Sequence, residues 1–140
     1  MPKPAVVLDT NIVVSAHLAP QGLERRVLDL ALAGQIRFCI SAEILCEYEE
    51  VLARPKFSIQ PERLAASLAL IRKAGAVFVS RRKLNVAPDA EDNKFLECAE
   101  TADAEYLVTG NLRHFPKRWK STRVVNARQL IGELIPHLEG

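Results

Sequence analysis

The sequence predicts an α/β fold in which a central parallel sheet of about five strands is covered by helices on both sides. Short apolar runs alternate along the chain with longer segments whose apolar residues recur at helical spacing. The first run, AVVL at residues 5–8, is continuously apolar, as expected of a strand that is buried on both faces. Alternation of this kind is typical of parallel strands that are joined by helices.

The elements after the first strand can be placed in order. Residues 23–33 show helical spacing, and residues 36–40 predict a second strand. Ser41 can cap a helix over residues 42–53, which stops before Pro55 because the residue preceding a proline disfavours helical geometry.

The second half of the chain continues the alternation. Residues 61–74 predict a helix that begins at a proline, residues 76–79 a strand, and the polar, basic residues 80–87 a surface segment. The last elements are a helix, two strands and a helix, at residues 91–102, 106–109, 123–125 and 127–135. No repeat or linker divides the chain, so we expect residues 1–140 to form one domain.

The composition favours a compact protein over a disordered or polycationic one. The 140 residues are 49% hydrophobic and 26% charged, and 19 basic against 17 acidic residues leave a formal charge of +2. The three cysteines show no CxxC spacing, so neither disulfides nor a thiolate zinc site is indicated, and a reducing cytoplasm is the expected setting. No apolar run approaches the ~20 residues that span a bilayer, so no membrane association is expected.

Acidic residues lie where the predicted fold would bring them to one edge of the sheet. Asp9 directly follows the first strand, at the carboxyl end, where parallel sheets bind ligands. A helix-capping role is the alternative for this residue. Glu47 lies at the border of the apolar face of its helix, from where it could reach over the same edge, and a solvated surface position is its alternative.

The segment from Asp89 to Asp92 offers the next acid. Asp92 falls on the same helical stripe as Phe95 and Leu96, and a carboxylate on a core-facing stripe needs a cation, a metal or hydrogen bonds. Asp89 suits the helix cap; the alternative exchanges the two roles, with Asp92 stabilising the helix dipole. Asn111 follows the fourth strand and occupies another carboxyl-end position, unless its Gly-Asn pair is only a turn.

Carboxylates gathered at one edge of a sheet need a cation between them. Two carboxylates ~4 Å apart repel by about 4 kcal/mol at an intermediate dielectric constant. Asp9, Glu47 and Asp92, together with the amide of Asn111, supply only oxygen ligands, which select hard ions. We therefore predict a Mg²⁺ or Mn²⁺ site and not a zinc site.

These residues also carry a family resemblance. The motifs are DTN after the first strand, Ser41 followed by Glu47 and a Val-Leu pair, the run DAEDNKFLECA, and YLVTGN followed by RHFP. In this order they resemble a PIN domain, and in particular the PIN-family toxin components of bacterial toxin–antitoxin systems. The resemblance implies a Rossmann-like three-layer α/β/α sandwich and a metal-dependent endoribonuclease. It also implies a cognate antitoxin as a partner and a homodimer.

The resemblance can be carried over residue by residue. Asp9, Glu47 and Asp92 match the family's first three acids, and Asn111 stands where a fourth acid is usual. Because an amide supplies a neutral carbonyl in place of a charge, a second ion would be held weakly. The resemblance further implies supporting roles, at the metal or one step from it, for three polar residues: Asn11, Ser41 and Thr109.

A basic segment without acids is the expected RNA-binding surface. Its side chains could contact phosphates, with an aromatic ring placed to stack on a base: Arg113, His114, Lys117, Arg118, Trp119 and Lys120. A solvated loop with a partly buried tryptophan is the alternative. A second basic run at residues 81–83 is a weaker candidate because it is distant in sequence from the acids.

Two other classes of function compete with a nuclease. A PIN-fold module that binds RNA or an antitoxin with little or no catalysis is the main one, and Asn111 is its best support. A phosphatase or phosphoacceptor domain would also use Asp9, but the DxDxT pattern is absent, since Thr10 and Asn11 follow. No GxGxxG or GxxxxGKS loop supports nucleotide binding.

Overall fold

The computed structural model describes residues 3–139, with side chains through Pro136, and its centre is a six-stranded sheet. In chain order the strands are β1 (Ala5–Leu8), β2 (Arg37–Ile40), β3 (Ala76–Val77), β4 (Tyr106–Val108), β5 (Arg118–Trp119) and β6 (Thr122–Val125). Their order across the sheet is β3-β2-β1-β4-β6-β5, and all pairs are parallel except β5 with β6. The predicted parallel sheet is therefore confirmed, with a short antiparallel edge added.

Helices flank this sheet on both faces. They are α1 (Thr10–Leu18), α2 (Leu23–Leu32), α3 (Ala42–Leu52), α4 (Pro61–Ala74), α5 (Asn93–Ala102) and α6 (Ala127–Glu139). Helix α5 packs on β1, β2 and β4, whereas α2 contacts α1, α4 and α6. The three-layer α/β/α sandwich predicted for the chain is confirmed. Among the described residues, no helix combines the length and the apolar content needed to cross a membrane.

The order in which the chain adds strands to the sheet reverses between β1 and β4. The chain passes from β1 to β2 and β3 in one direction, then returns through α5 to β4 on the other side of β1. Right-handed crossovers consequently place α5 on the face opposite the earlier helices. A reversal of this kind opens a crevice at the carboxyl ends of the two strands, which is where ligands bind in such sheets.

The core explains why these elements form. All four residues of β1 are buried, as its continuous apolar run predicts. The largest fully buried side chains include Phe38 on β2, Tyr48 on α3 and Phe95 on α5. The two helices pack against the sheet through these side chains. Burial of each large side chain is worth about 1.5–3 kcal/mol. This packing fixes the helices relative to the strands whose carboxyl ends form the crevice.

Several boundaries differ from those predicted. Helix α1 was not predicted, because TNIVVSAHL is apolar on most sides and lacks a helical period. Helix α5 begins at Asn93, since a 3₁₀ turn (Ala90–Asp92) takes the place of its expected first residues. Strand β3 ends at Val77, because Phe78 is the last residue whose amide bonds to β2 and Val79 is 86% exposed.

Candidate active site

The first feature of the crevice is the pairing of β1 with β4. Leu8 lies beside Val108 in the register, so that Asp9 and Thr109, the residues that follow, lie side by side. The Asp9 amide donates to the Val108 carbonyl at 2.9 Å, and the Thr109 hydroxyl donates to Asp9 Oδ2 at 2.7 Å. Asp9 is buried, and its side chain does not cap α1. The capping alternative for Asp9 is therefore wrong.

Helix α3 brings Glu47 to the same edge. The buried Tyr48 hydroxyl donates to the Leu8 carbonyl, which ties the helix to the end of β1. The Thr10 hydroxyl, at the start of α1, donates to Glu47 Oε2. Glu47 is only 22% exposed, so it lies over the carboxyl edge and not on the solvated face of its helix.

Lys94 supplies a positive charge inside this group of acids. Its ammonium lies 2.6 Å from Glu47 Oε1 and 3.2 Å from Glu91 Oε2. Burial lowers the pKa of Lys94, but the hydrogen bonds to the two glutamates outweigh that effect and raise it above its usual value. Lys94 therefore stays charged at neutral pH and neutralises part of the cluster.

Asp92 faces the crevice from the turn before α5. Its side chain makes no capping hydrogen bond, whereas Asp89 Oδ1 accepts from the Glu91 amide at 3.0 Å and caps that turn. Asp92 is 17% exposed, and its Oδ2 is buried without a hydrogen-bond partner among the described residues. His114 Nδ1 lies 3.6 Å from that oxygen, which is too far for a hydrogen bond. Asp89 therefore acts as the cap, and Asp92 is the inward acid.

The three acids influence one another electrostatically. Burial raises the pKa of Asp9 to about 6; the Thr109 hydrogen bond lowers it, and the charges of Asp92 and Glu47 raise it. Burial likewise raises the pKa of Asp92, with further increases from the charges of Asp89 and Glu47. Raised carboxylate pKa values that have both burial and like charge as causes are characteristic of functional sites.

The donor chemistry of this cluster fits a divalent cation, although the side chains do not form a ready coordination shell. Among the described residues, no three Asp, Glu, His or Cys side chains are arranged to hold a metal ion. One reason is that both Glu47 oxygens already accept hydrogen bonds, from Thr10 and Lys94. The Oδ2 atom of Asp92, buried without a hydrogen-bond partner among the described residues, is nevertheless an oxygen that a hard cation could satisfy.

The supporting polar residues take different positions. The side-chain oxygen of Asn11 accepts from the backbone amide of Gly110 at 3.1 Å. The backbone amide of Asn111 donates to Thr109 Oγ1 at 3.0 Å. Asn11, Thr109 and Asn111 therefore form one connected loop beside Asp9. Ser41, by contrast, is buried and caps α3 by accepting from the Ile44 amide at 3.2 Å. Its contact supports the helix that carries Glu47.

Two open clefts border Asn111. One of about 480 Å³ is lined by Gly110, Asn111, Leu112, Arg113, His114 and Asn126. The other, of about 300 Å³, runs along α1 and is lined by Asn11, Ile12, Ser15, Glu24, Thr109, Gly110, Asn111, Asn126 and Ala127. Asn111 thus lines both clefts, and Asn11 lines the second.

The structure divides the predicted RNA-binding segment between two edges of the sheet. Arg113 and His114 lie at the carboxyl edge, in the turn that follows Asn111. Strand β5 then runs back antiparallel to β6, and Trp119 pairs with Thr122 at the amino end. Lys120 lies 5.5 Å from the Trp119 ring, in the turn between these strands. The six residues therefore do not all lie beside the acids: Arg113 and His114 do, whereas Trp119 and Lys120 lie at the amino edge of the sheet.

Lys117 and Arg118 lie between these two ends. Both are exposed, and Lys117 lines a separate groove of about 550 Å³ with Arg113, Phe115, Pro116 and Arg123 among its neighbours. Arg118 lies opposite Arg123 in the β5–β6 pair. The cations that follow His114 in sequence therefore lie along the β5 edge of the sheet, away from the acids.

Two cations of the second basic run pair with acids of α5. Arg82 forms a two-point ion pair with Glu100 at 2.7 and 3.0 Å, and Lys83 lies 3.8 Å from Glu97. Glu97 is buried and accepts from the Leu84 amide at 2.9 Å. Glu97 therefore serves as a buried acceptor for the backbone of the segment that contains Leu84.

Three residues of the site were not singled out from the sequence. Tyr48 and Lys94 are described above, and Asn93 is the third: its side-chain oxygen accepts from the Val86 and Ala87 amides at 3.0 and 2.8 Å. An amide inside the DAEDNKFLECA run, next to Asp92, was the available signal for Asn93. Tyr48 and Lys94 gave none, since each has an ordinary place on an amphipathic helix.

Comparison with known proteins agrees with the fold. The PIN domain family model matches residues 5–113, which is most of the chain and includes Asp9, Glu47, Asp92 and Asn111. The chain therefore belongs to the PIN domain family, whose members are generally nucleases. An uncharacterized protein of Methanocaldococcus jannaschii is 30% identical over 109 residues, which are 76% of this chain and 70% of that protein.

A solved structure shows the same fold. VapBC2 from Rickettsia felis, bound to a DNA fragment from its promoter, matches with a TM-score of 0.59 and 21% sequence identity. The match covers 87% of this chain and 98% of the other. At this level of identity the likeness establishes shared architecture.

Proposed function

We propose that this chain is a divalent-metal-dependent endoribonuclease that cleaves RNA phosphodiester bonds with water as the nucleophile. The observation that carries the proposal is the electrostatic proximity of Asp9, Glu47 and Asp92: the charge of Glu47 raises the pKa of both aspartates, and the charge of Asp92 raises that of Asp9. Membership of a family that generally consists of nucleases supports it independently. The three carboxylates would repel a phosphodiester unless they held a cation between them and it.

Mg²⁺ or Mn²⁺ is the proposed cofactor because the available ligands are all oxygens. Such an ion supplies neutralisation of the phosphate and a lowered pKa for a coordinated water. We assign Asp9 and Asp92 as its principal ligands, since Asp9 is buried at the end of β1 and Asp92 has a buried oxygen without a hydrogen-bond partner among the described residues. Glu47 would complete the ligand set or orient the attacking water. Asn111 would position water or a weak second ion with its neutral carbonyl.

The proposed nucleophile is water and not a side chain, and this choice predicts the ends of the RNA products. Water attack on phosphorus would leave a 5′-phosphate and a 3′-hydroxyl. Arg113 and His114, which line the cleft beside Asn111, are the side chains best placed to contact the phosphates on either side of the scissile bond. The cations further along the chain would contact the RNA at a distance from the cut.

We further propose that the enzyme acts in the cytoplasm as the toxin of a toxin–antitoxin pair. The support is the shared architecture with VapBC2 from Rickettsia felis and the motif resemblance described above. A small antitoxin encoded by an adjacent reading frame and assembly as a homodimer belong to the same proposal. Co-purification of this chain with the product of the neighbouring frame tests the partner directly.

A binding module with little catalysis is the second candidate, and the specific observation in its favour is Asn111. An exposed amide in place of the usual fourth acid removes one negative charge from the ion's surroundings. This candidate predicts binding of RNA or antitoxin without metal-dependent cleavage.

One cleavage experiment separates the two candidates. Defined RNAs are incubated with the purified protein in Mg²⁺, Mn²⁺ or EDTA, and the product ends are mapped. Asp9→Asn tests the site, and Asp29→Asn is the matched control, because Asp29 undergoes the same chemical change at a 57% exposed position. We expect cleavage with either metal by the wild type and the control, and none by Asp9→Asn. Equal cleavage by all three proteins would reject the nuclease.

A further inference from the structure

Lys94 is a cation built into the acid cluster. Its side chain is only 17% exposed, and its ammonium is held by two carboxylates on different elements. Glu47, at 2.6 Å, belongs to the candidate metal site, whereas Glu91, at 3.2 Å, is 79% exposed and lies outside it. Lys94 therefore has one acceptor inside the site and another at its rim.

The partners of the acids show what Lys94 does there. Glu47 has both oxygens engaged, one by Thr10 and one by Lys94. Asp9 accepts from Thr109, but Asp92 Oδ2 has no hydrogen-bond partner among the described residues. Glu47 is thus satisfied by the protein's own groups, while Asp92 is left for an external cation. Lys94 therefore neutralises Glu47, whereas no cation among the described residues hydrogen-bonds Asp92 Oδ2.

We propose that Lys94 is a positioning residue that competes with the divalent ion for the Glu47 carboxylate and moves to Glu91 when the ion binds. This inference rests on the proposed metal-dependent function. Two cations cannot both lie within bonding distance of one carboxylate oxygen without strong mutual repulsion. Glu91 provides the released ammonium with an acceptor one helical turn away, so the exchange leaves no unpaired charge.

The consequence is that Lys94 sets the ion concentration at which the site fills. Lys94→Met removes the competitor and leaves Glu47 without its cation, so the affinity for an ion should rise. Lys94→Arg keeps the charge and should leave the affinity close to that of the wild type. Glu91→Gln removes the negative charge of the alternative acceptor, which should hold Lys94 on Glu47 and lower the affinity.

The test is Mn²⁺ binding to the purified full chain, measured by electron paramagnetic resonance of the free ion and by calorimetry. We expect Lys94→Met to bind Mn²⁺ about tenfold more tightly than the wild type, a size typical of coupling between two ligands. Lys94→Arg should stay within about threefold, and Glu91→Gln should bind about threefold more weakly. Lys83→Met is the control, because Lys83 is 79% exposed and pairs with Glu97 outside the site.

The failures of this inference and of the proposed function are distinguishable. Unchanged or weaker Mn²⁺ binding by Lys94→Met, in a wild type that does bind the ion, overturns the role of Lys94. Tighter binding by Lys83→Met of the same size would also overturn it, since the effect would then be one of net charge. Uptake of Mn²⁺ by none of the proteins would instead reject the metal-dependent function. Glu91→Gln keeps the test decisive if Lys94→Met does not fold.

Discussion

The Thr109 hydroxyl donates a 2.7 Å hydrogen bond to the Asp9 carboxylate, between residues that are 100 positions apart in sequence. The contact exists because β1 and β4 are neighbours in register and each places its next residue at the carboxyl edge. It is the one interaction with a partner side chain that favours the charged form of Asp9, against burial and two nearby acids. The ionisation of Asp9 consequently depends on Thr109.

Replacing Thr109 by valine should therefore raise the Asp9 pKa further above 6. Valine keeps the shape of threonine but cannot donate, so the carboxylate loses its charge-assisted hydrogen bond. We expect the unfolding free energy at pH 7 to fall by about 1–3 kcal/mol. Nuclear magnetic resonance titration of the Asp9 side-chain carboxyl measures the pKa. Thr109→Ser restores the donor and is the control; an unchanged Asp9 pKa in the valine variant would contradict the prediction.

The raised Asp9 pKa also predicts how stability depends on pH. The carboxyl titrates at about 6 when folded and near 3.8 when unfolded, so between these values the folded state binds the extra proton. Stability of the metal-free protein should therefore fall as pH rises from about 4 to 6, by up to about 3 kcal/mol. Urea unfolding in EDTA across this range measures the change.

Asp9→Asn provides the matched comparison for that pH dependence. Asparagine can still accept from Thr109 but carries no charge, so the variant should lack the decline and be more stable than the wild type at pH 7 in EDTA. Excess Mg²⁺ or Mn²⁺ should reduce the difference, since an ion that binds the folded state stabilises it. A wild type whose stability rises over the same pH window would show that Asp9 is not the group responsible.

The positions of Asp9 and Asp92 could be predicted because each depends on a local rule. Asp9 follows a continuously apolar strand, and parallel strands end at a common edge, so its place needed no knowledge of distant contacts. Asp92 shares the helical stripe of Phe95 and Leu96, both fully buried. The 3₁₀ turn that precedes α5 shifted the helix start but left this direction unchanged.

The other features of the site depend on contacts between elements that are distant in sequence, which the sequence does not show. Lys94 lies on α5 and Glu47 on α3, and only the approach of those two helices pairs them. Trp119 and Lys120 are close in sequence to His114, but the antiparallel turn of β5 carries them to the opposite edge. Closeness along the chain was therefore a poor guide to which cations lie near the acids, because the two-residue strand β5 reverses the chain direction.

Asp92 and Asp89 should respond differently to substitution. Asp92→Asn removes a proposed metal ligand, so cleavage should fall by at least about 100-fold, a loss of about 2.7 kcal/mol in transition-state stabilisation. Asp89→Ala removes a cap on a 3₁₀ turn, which should cost about 1 kcal/mol of stability and leave cleavage within a few-fold of the wild type. Single-turnover cleavage and thermal unfolding of both variants measure the contrast. The reverse pattern would exchange the two roles.

Asn111→Asp tests the missing fourth acid. The added carboxylate lies at an exposed position of the cleft, where its desolvation is small and its charge would attract a cation. We expect Mn²⁺ affinity to rise about threefold to tenfold and cleavage at low metal concentration to rise with it. Asn126→Asp, in the same cleft, controls for a general change of potential, because aspartate keeps a side-chain oxygen that can accept from the Gln129 amide. A gain confined to Asn111→Asp would support its place beside the ion.

Arg113 and Lys120 should differ in their effect on RNA binding because they lie at opposite edges of the sheet. Arg113→Gln removes a cation from the cleft beside Asn111, so RNA affinity should fall and the salt dependence of binding should decrease by about one phosphate contact. Lys120→Gln removes the same charge from the turn beside Trp119, where a short RNA that occupies the cleft would not reach.

Fluorescence anisotropy with a labelled RNA of a few nucleotides, measured from low to physiological salt in Asp9→Asn protein, separates binding from cleavage. We expect a weaker and less salt-dependent complex for Arg113→Gln and an unchanged one for Lys120→Gln. Repeating the titration with a longer RNA should restore an effect of Lys120→Gln only if the strand follows the outer edge through Lys117 and Arg118. Equal losses for both variants on the short RNA would mean that binding senses total charge and not the cleft.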